Sequence, residues 1–162
     1  MPLLFNSRLT ALATMAALLS SLSAPSLHAA EISAKASIGQ VKRLSGTVML
    51  DRGGQVLTPQ PGMSLQEGDR LRTGADGLAG VTLSDDSLLT AGPNSSLLIS
   101  SFSFNTTTHD GALQAKLGRG SLHVVTGLIA KKAPEKVNFQ ARSVVLGVRG
   151  TEFIVDVGGA EE

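Results

Sequence analysis

Histidines are the residues most often used for acid–base and metal chemistry, and this chain has only His28, His109 and His123. Their spacing matches neither H-x-H nor H-E-x-x-H, the close patterns that metal-binding histidines usually show. The sequence contains no Cys, so thiolate nucleophiles, disulfides and Cys-based metal sites are excluded. We therefore expect no metal centre and no cofactor, and we interpret the histidines as unrelated side chains.

Aspartates that could bind Ca²⁺ occur mainly at turn signals, as in Asp85-Asp86, Asp76 and Asp110. The pattern D-x-[DN]-x-[DN]-G is absent, and Asp in a tight turn commonly accepts hydrogen bonds from its own backbone. We therefore interpret these aspartates as turn residues.

The possibility of a Ser/His/Asp hydrolase stays open because catalytic triads assemble from distant positions, although no G-x-S-x-G elbow occurs. Gly118–Ser121 resembles a phosphate-binding loop only superficially, since a predicted strand follows it and not a helix.

Charge and aromatic content exclude other classes of function. Lys+Arg number 14 and Asp+Glu number 13, so the formal net charge is +1. Such a chain lacks the broad positive field of nucleic-acid-binding proteins, and without Trp or Tyr it offers few stacking platforms. We therefore expect no nucleic-acid partner. The 42% hydrophobic content is too high for a chain that is disordered throughout.

The N-terminal segment has the layout of a secretory signal peptide. One positive charge at Arg8 precedes Leu9–Leu27, which contains no charged residue, and the small residues Ala29 and Ala30 follow. We expect cleavage after Ala29 or Ala30, so residues 1–30 form a signal peptide and the mature protein is periplasmic or secreted. An uncleaved membrane anchor is the alternative, because the uncharged run nearly suffices to cross a bilayer.

Period-two alternation of apolar residues is the main secondary-structure signal after Ala30. Every second residue is apolar in Leu113–Leu117, Val137–Ala141 and Phe153–Val157, and turn signals rich in Gly, Pro, Asn and Asp separate the apolar segments. No helical periodicity competes with this pattern. The sequence predicts an all-β fold, a single compact β-sandwich or β-roll-like domain over residues 31–162, without a helix longer than two turns.

Five further segments are shorter or more continuously apolar, which predicts strands buried on both faces. They are Thr47–Arg52, Gly80–Ser84, Leu97–Ser101, Gly120–Thr126 and Ser143–Val148. Two polar stretches, Asn105–Gly111 and Lys131–Lys136, are predicted to be solvent-exposed loops.

An ordered set of short motifs runs along the mature chain. It comprises G-x-V at Gly46, L-x-x-G-D-x-L-x-T-G over Leu65–Gly74, V-x-L-x-D-x-S-x-L over Val81–Leu89, G-P-N-S over Gly92–Ser95, L-x-x-G before Gly120, and V-R-G-T-E-F over Val148–Phe153. Together these motifs resemble the FecR domain, an extracytoplasmic β-rich module named after the ferric-citrate regulator. The resemblance covers roughly Gly39–Val157.

The resemblance implies an envelope protein linked to signalling. Regulators of that family combine a cytoplasmic sigma-factor-binding segment, one membrane span and a periplasmic region that meets an outer-membrane transducer. Only about eight residues precede the apolar run of this chain, so we expect no sigma-factor-binding segment and no stable membrane span after processing. The resemblance therefore implies an exported, standalone FecR-like domain.

Seven residues of the family motifs are predicted to be structural: Gly68, Asp69, Thr73, Gly74, Arg149, Gly150 and Thr151. Glycine permits positive φ at strand ends, and Asp or Thr side chains bond nearby backbone groups there. Arg149 lies between apolar segments, so it needs a partner. Asp69 is the preferred partner, with Glu67 and Glu152 as alternatives; an anion-binding role for Arg149 stays open.

The function that these observations favour is a non-catalytic binding module. Its expected partner is an envelope protein or polymer of unknown identity, contacted in envelope signalling or assembly. The alternative is a small envelope hydrolase acting on peptidoglycan or polysaccharide through scattered polar residues.

Overall fold

The computed structural model describes residues 35–142, 144–147 and 152–158 of the chain. The predicted signal peptide, residues 1–30, lies outside this part, and so do Arg149, Gly150 and Thr151. Strands dominate the described residues, and the fold is a mostly antiparallel, curled sheet with almost no helix. The prediction of an all-β fold is therefore confirmed.

Twelve strands are formed by the described residues. They are β1 Ser37–Ser45, β2 Val48–Arg52, β3 Gln55–Leu57, β4 Ser64–Gln66, β5 Arg70–Thr73, β6 Leu78–Leu83, β7 Leu88–Ala91, β8 Ser96–Phe104, β9 Gly111–Val125, β10 Val137–Ala141, β11 Val144–Gly147 and β12 Glu152–Val157. One helix, α1, spans Leu128–Lys132, and a 3₁₀ turn follows at Pro134–Lys136.

The long strand β9 joins two halves of the sheet. Its first part pairs with β8 and, in parallel, with β10; continuing outward, half I has the order β3-β2-β5-β8-β9-β10-β11. Its last part pairs with β7 and β12, and half II has the order β4-β1-β6-β7-β9-β12. Every other pairing in these two halves is antiparallel.

A bend marks the place where β9 passes from half I to half II. Strands β7 and β8 run one after the other along β9, separated by the turn Gly92–Ser95. Opposite this turn, Arg119 pairs with Ser96 while Leu117 pairs with Leu97, so Gly118 is an extra residue in β9. Such a bulge bends a strand and increases its twist. Two of the sequence motifs therefore meet at one bend.

Both halves contribute their inner faces to one hydrophobic core. In β9, Leu113, Ala115 and Leu117 are buried, while Gln114 and Lys116 between them are exposed, as the alternation predicts. The expectation that some strands are buried on both faces is wrong. Met49 in β2 is 47% exposed and Val145 in β11 is 64% exposed, because one side of each strand faces outward.

The two predicted loops differ in structure. Residues 105–110 are exposed and contain a turn, as expected. The segment Lys131–Lys136 instead contains the end of α1 and the 3₁₀ turn, where buried Ile129 anchors the helix to the core. The helix is only five residues long. Throughout the described ranges, no helix has the length and apolarity needed to cross a membrane.

Candidate functional site

The turn before β5 is organised around Asp69. Gly68 has φ +90°, a conformation that glycine adopts without strain, and its N–H donates to the Ile99 carbonyl at 2.8 Å. The Ile99 N–H in turn donates to the Asp69 carbonyl at 3.1 Å, which ties the turn to β8. The Asp69 side chain is only 1% exposed. It therefore needs partners for its charge and for both oxygens.

Arg52 at the end of β2 supplies these partners. Its Nε donates to Asp69 Oδ1 at 2.8 Å and its Nη2 donates to Oδ2 at 2.7 Å, while the Gln66 N–H donates to Oδ2 at 2.8 Å. The hydrogen bond to Asp69 raises the pKa of Arg52 above its ordinary value; burial opposes this rise, and the charge of Asp69 adds to it. Arg52 Nη2 also donates to the Ser64 carbonyl at 2.8 Å, so one guanidinium links β2 and the turn before β5 in half I to β4 in half II.

Thr73 and Ser95 connect β5 to the bend. The Thr73 hydroxyl donates to the Gly92 carbonyl at 2.6 Å and accepts from the Ser95 N–H at 2.8 Å. Next to it, the Gly74 carbonyl accepts from the Asn94 N–H at 2.9 Å. The G-P-N-S turn is therefore held by the residues that end the L-x-x-G-D-x-L-x-T-G motif.

The same turn is joined to β9 by Ser95. Its hydroxyl donates to the Ser121 carbonyl and accepts from the Ser121 N–H, each at 3.0 Å. Gly120 has φ +80°, and a Cβ there would lie 2.3 Å from Ser95 Oγ. No other residue type fits this contact without displacing the turn. Ser95 is fully buried, so these hydrogen bonds are shielded from water.

Gly74 also begins a turn that Asp76 closes. The Gly74 N–H donates to the Thr47 carbonyl at 2.9 Å, and the Thr47 N–H donates to Asp76 Oδ1 at 3.2 Å. Hydrogen bonds from the Thr47 backbone and side chain lower the pKa of Asp76 below its ordinary value. The exposed Asp76 carboxylate thus accepts a backbone hydrogen bond immediately before β2.

A groove of about 700 Å³ lies along the outside of the bend. We call it the arginine groove, because Arg119 and Arg142 contribute its cationic side chains. Its other lining residues include Asn94, Gly120 and Asp156. Arg142 Nη2 donates to the Gly158 carbonyl at 3.3 Å, which holds this guanidinium beside the groove.

A smaller depression of about 350 Å³ shares Gly118 and Arg119 with the arginine groove. Arg70, Arg72 and Ser96 complete its lining. Guanidinium groups match the geometry of carboxylates and phosphates, so this surface can bind anions.

The other candidate catalytic or metal-binding side chains lie apart from one another in the fold. His123 Nε2 lies 2.7 Å from Glu152 Oε1 on the outer face of half II, and both side chains are substantially exposed. His109 stacks on Phe104 in the loop after β8, with ring centroids 6.1 Å apart. Buried Asp85 accepts hydrogen bonds from the Ser87 N–H and hydroxyl, which is the turn role expected for it. Within the described ranges, no group of three His, Asp or Glu side chains could hold a metal ion.

The predicted partner of Arg149 is engaged elsewhere. Asp69 binds Arg52, Glu152 faces His123, and Glu67 Oε2 accepts from the Phe102 N–H at 3.3 Å. Arg149 itself lies outside the described residues, so its pairing and its structural role stay predictions.

Sequence reasoning missed Arg52 and the arginine groove. Arg52 follows Asp51 at the end of an ordinary strand, and nothing in its neighbours marks it as the partner of a turn 17 residues away. Arg119 was visible only as part of a loop-like Gly-Arg-Gly-Ser run. The signal that could have found it is the Gly pair itself, since a bulge can re-aim a side chain.

Comparison with known proteins agrees with the motif pattern. No curated protein and no solved structure matches this chain. The family model described as FecR protein matches residues 69–161, which is more than half of the chain. This range starts at Asp69 and includes the bend, the groove arginines Arg119 and Arg142, and the V-R-G-T-E-F segment. The chain belongs to the FecR protein family.

Proposed function

We propose that this protein is an exported, non-catalytic interaction module of the cell envelope. It acts in envelope signalling or assembly by binding an envelope protein or polymer. The observation that carries this proposal is the arginine groove beside the bend, with Arg119 and Arg142 at its surface. Two guanidinium groups in an open groove suit recognition of an anionic partner, and they supply no general base.

The motif residues have a different role in this proposal. Hydrogen bonds of Asp69, Thr73 and Gly74 stabilise the turns and the bend. We assign them to the scaffold and assign ligand contact to the arginines that the scaffold carries. Membership of the FecR family supports an envelope role, and it specifies no ligand.

The test of binding is crosslinking in cells followed by purification from envelope fractions. Wild-type protein should retain one defined partner, and Arg119→Ser with Arg142→Ser should lose it while keeping the wild-type denaturation midpoint. The matched control is Arg43→Ser, an exposed arginine on β1 in half II. Equal retention by all three proteins would contradict a role for the groove.

The hydrolase alternative receives no specific support from the described residues, where Asp156 is the single carboxylate lining the arginine groove. It predicts turnover of peptidoglycan or polysaccharide by the purified protein, abolished by one Ser, Asp or Glu substitution. Such turnover would replace the binding proposal.

Export is tested separately by N-terminal sequencing of protein from a periplasmic extract. A start at Ala30 or Glu31 is expected, because the Arg8, apolar and Ala-Ala layout directs secretion and cleavage. Protein that retains Met1 in the membrane fraction would contradict this part of the proposal.

A further inference from the structure

Strand register gathers four cationic side chains on the outer face of half I. Arg72 on β5 pairs with Ser96 on β8, and Ser96 pairs with Arg119 on β9. Directly opposed residues of neighbouring strands point to the same side of a sheet. Arg72 and Arg119 therefore stand in one row with the small Ser96 between them.

The adjacent row repeats the arrangement. Arg70 pairs with Leu98, and Leu98 pairs with Lys116. We call the surface formed by Arg70, Arg72, Lys116 and Arg119 the basic face. Neighbouring strands are about 4.8 Å apart and alternate residues along a strand about 6.7 Å apart, so the backbone positions of the four residues mark a grid of roughly 7 by 10 Å.

Strand register also places one carboxylate, Asp51, on this face, directly opposite Arg70. Arg72 Nη2 lies 3.3 Å from Asp51 Oδ2, in an exposed ion pair. In the described part of the chain, neither Arg70, Lys116 nor Arg119 has a carboxylate within ion-pair distance. A chain with a formal net charge of only +1 thus concentrates positive charge on one face.

Exposed apolar side chains border the basic face. Met49 pairs across β2 and β5 with Arg72, and Val56 pairs with Asp51 at the sheet edge. At the opposite edge, Val145 pairs with Gln140, which is aligned with Lys116. Their exposed fractions are 47%, 62% and 64% respectively. Arg and Met are enriched in protein interfaces relative to the rest of the protein surface.

Aromatic rings, by contrast, are not available on this face for stacking against sugars or bases. Among the described phenylalanines, Phe102 and Phe139 are buried, and Phe104 and Phe153 are half-buried against the core. Single-stranded nucleic acids depend on such stacking platforms. The composition of the face therefore favours a protein partner over a polysaccharide or a nucleic acid.

We propose that the basic face binds an acidic, extended segment of a partner protein. Alternate side chains of an extended peptide are about 6.7 Å apart, the same spacing as Arg70 and Arg72 along β5. Carboxylates at that spacing can reach successive guanidinium groups, and apolar side chains beside them can contact Met49 or Val145. This inference rests on the proposed function and specifies the partner chemistry and the surface.

The test uses the full protein purified from envelope fractions and poly-L-glutamate as the probe. Calorimetric titration at low salt should give saturable binding that weakens as salt is raised, because the contacts are exposed charge pairs. Arg72→Ser with Arg119→Ser should weaken this binding about tenfold, since each carboxylate loses a charge-assisted, bidentate partner. Absence of binding to poly-L-glutamate would overturn the proposal.

Two controls test whether binding depends on the basic face itself and whether it depends on a peptide ligand. Arg43→Ser removes one exposed arginine from half II and should leave poly-L-glutamate affinity within about twofold. Alginate, a polysaccharide with a carboxylate on each sugar, should bind more weakly than poly-L-glutamate. Equal loss in R43S, or tighter binding of alginate, would overturn the choice of a protein partner on this face.

The chain itself contains an acidic pair, Glu161 and Glu162, a few residues after the groove residue Gly158. Glu161→Gln with Glu162→Gln should leave poly-L-glutamate affinity unchanged if the face serves a partner. A clear rise in affinity would identify this acidic pair as the occupant and overturn the proposal.

Failure of this inference can be told apart from failure of the proposed function. If wild-type protein captures a defined envelope partner and the Arg72→Ser, Arg119→Ser variant captures it equally, the module binds through another surface. If no partner is captured and the purified protein degrades an envelope polymer, the proposed function itself fails.

Discussion

At the scale of single residues, the ion pair between half-buried Arg52 and buried Asp69 anchors the turn before β5. Asp69 receives three hydrogen bonds and is 1% exposed, so loss of Arg52 leaves a carboxylate in the core without its counter-ion. Breaking one side of a buried pair costs about 3–5 kcal/mol, a large share of the roughly 5–15 kcal/mol that stabilises a small domain.

We therefore expect Arg52→Ala and Asp69→Ala each to lower the free energy of unfolding by about 3 kcal/mol or more. The double variant should cost less than the sum, because the second substitution removes the orphaned charge. Arg72→Ala is the matched control; its exposed pair with Asp51 should contribute at most about 1 kcal/mol. Chemical denaturation followed by circular dichroism measures all four proteins. Additive losses would contradict a coupled pair.

The pKa of Asp76 gives a second prediction at this scale. Hydrogen bonds from Thr47 lower this pKa in the folded state, so the carboxylate stabilises the fold above its unfolded pKa, and that contribution is lost as pH falls through the folded pKa. Asp76→Asn should be less stable than wild type at about pH 7, and the difference should shrink as pH falls through the folded pKa of Asp76. A difference that is independent of pH would show that the charge of Asp76 is irrelevant.

At the scale of elements, the bend of β9, which lies opposite the turn between β7 and β8, holds the two halves of the sheet in register. Gly120 combines a positive φ with close contact to Ser95, so a side chain there meets two separate penalties. Gly54 has a similar φ of +86°, but a Cβ there would meet nothing within 4 Å. The two glycines therefore separate backbone strain from steric conflict.

Gly54→Ala should cost about 1–2 kcal/mol, the strain of a left-handed residue with a side chain. Gly120→Ala should cost clearly more, because its Cβ would lie 2.3 Å from Ser95 Oγ and 2.6 Å from Ser95 Cα. Thermal and chemical unfolding of the two variants give the comparison. Equal destabilisation would mean that the bend relaxes around the new methyl group, and that its hydrogen bonds do not fix its geometry.

How far the elements could be predicted depends on the physical signal that each carries. The alternation in Leu113–Leu117 and Val137–Ala141 predicted both strands and their buried faces, because a half-buried strand imposes period two on its own sequence. Two-sided burial was wrongly predicted for segments such as Thr47–Arg52 and Ser143–Val148. Short apolar runs do not reveal whether one face is covered, as exposed Met49 and Val145 demonstrate.

The site was less predictable than the fold. Asp69, Thr73 and Gly74 stood out because their motif is local in sequence, and their hydrogen bonds include backbone groups of turns and of the bend. The arginines of the basic face come from strands far apart in the chain, and only strand register brings them together. That register depends on pairing across the whole sheet, which no single segment encodes.

At the scale of the whole molecule, the residues that stabilise the fold differ from those that we propose to bind a partner. The motif residues of Leu65–Gly74 and Gly92–Ser95 build turns and the bend, while four cationic side chains stand together on the outer face of half I. A partner should therefore approach half I, and substitutions on the outer face of half II should leave binding intact.

Site-specific photocrosslinking in intact cells tests this directly. A photoreactive residue replaces Gln114, which is exposed on β9 next to Lys116, or Gln40, which is exposed on β1 in half II. The basic face predicts one adduct of defined mass from position 114 and none from position 40, with the adduct lost when Arg72 and Arg119 are changed to Ser. An adduct from position 40 alone, or from position 114 regardless of the arginines, would contradict binding through the basic face.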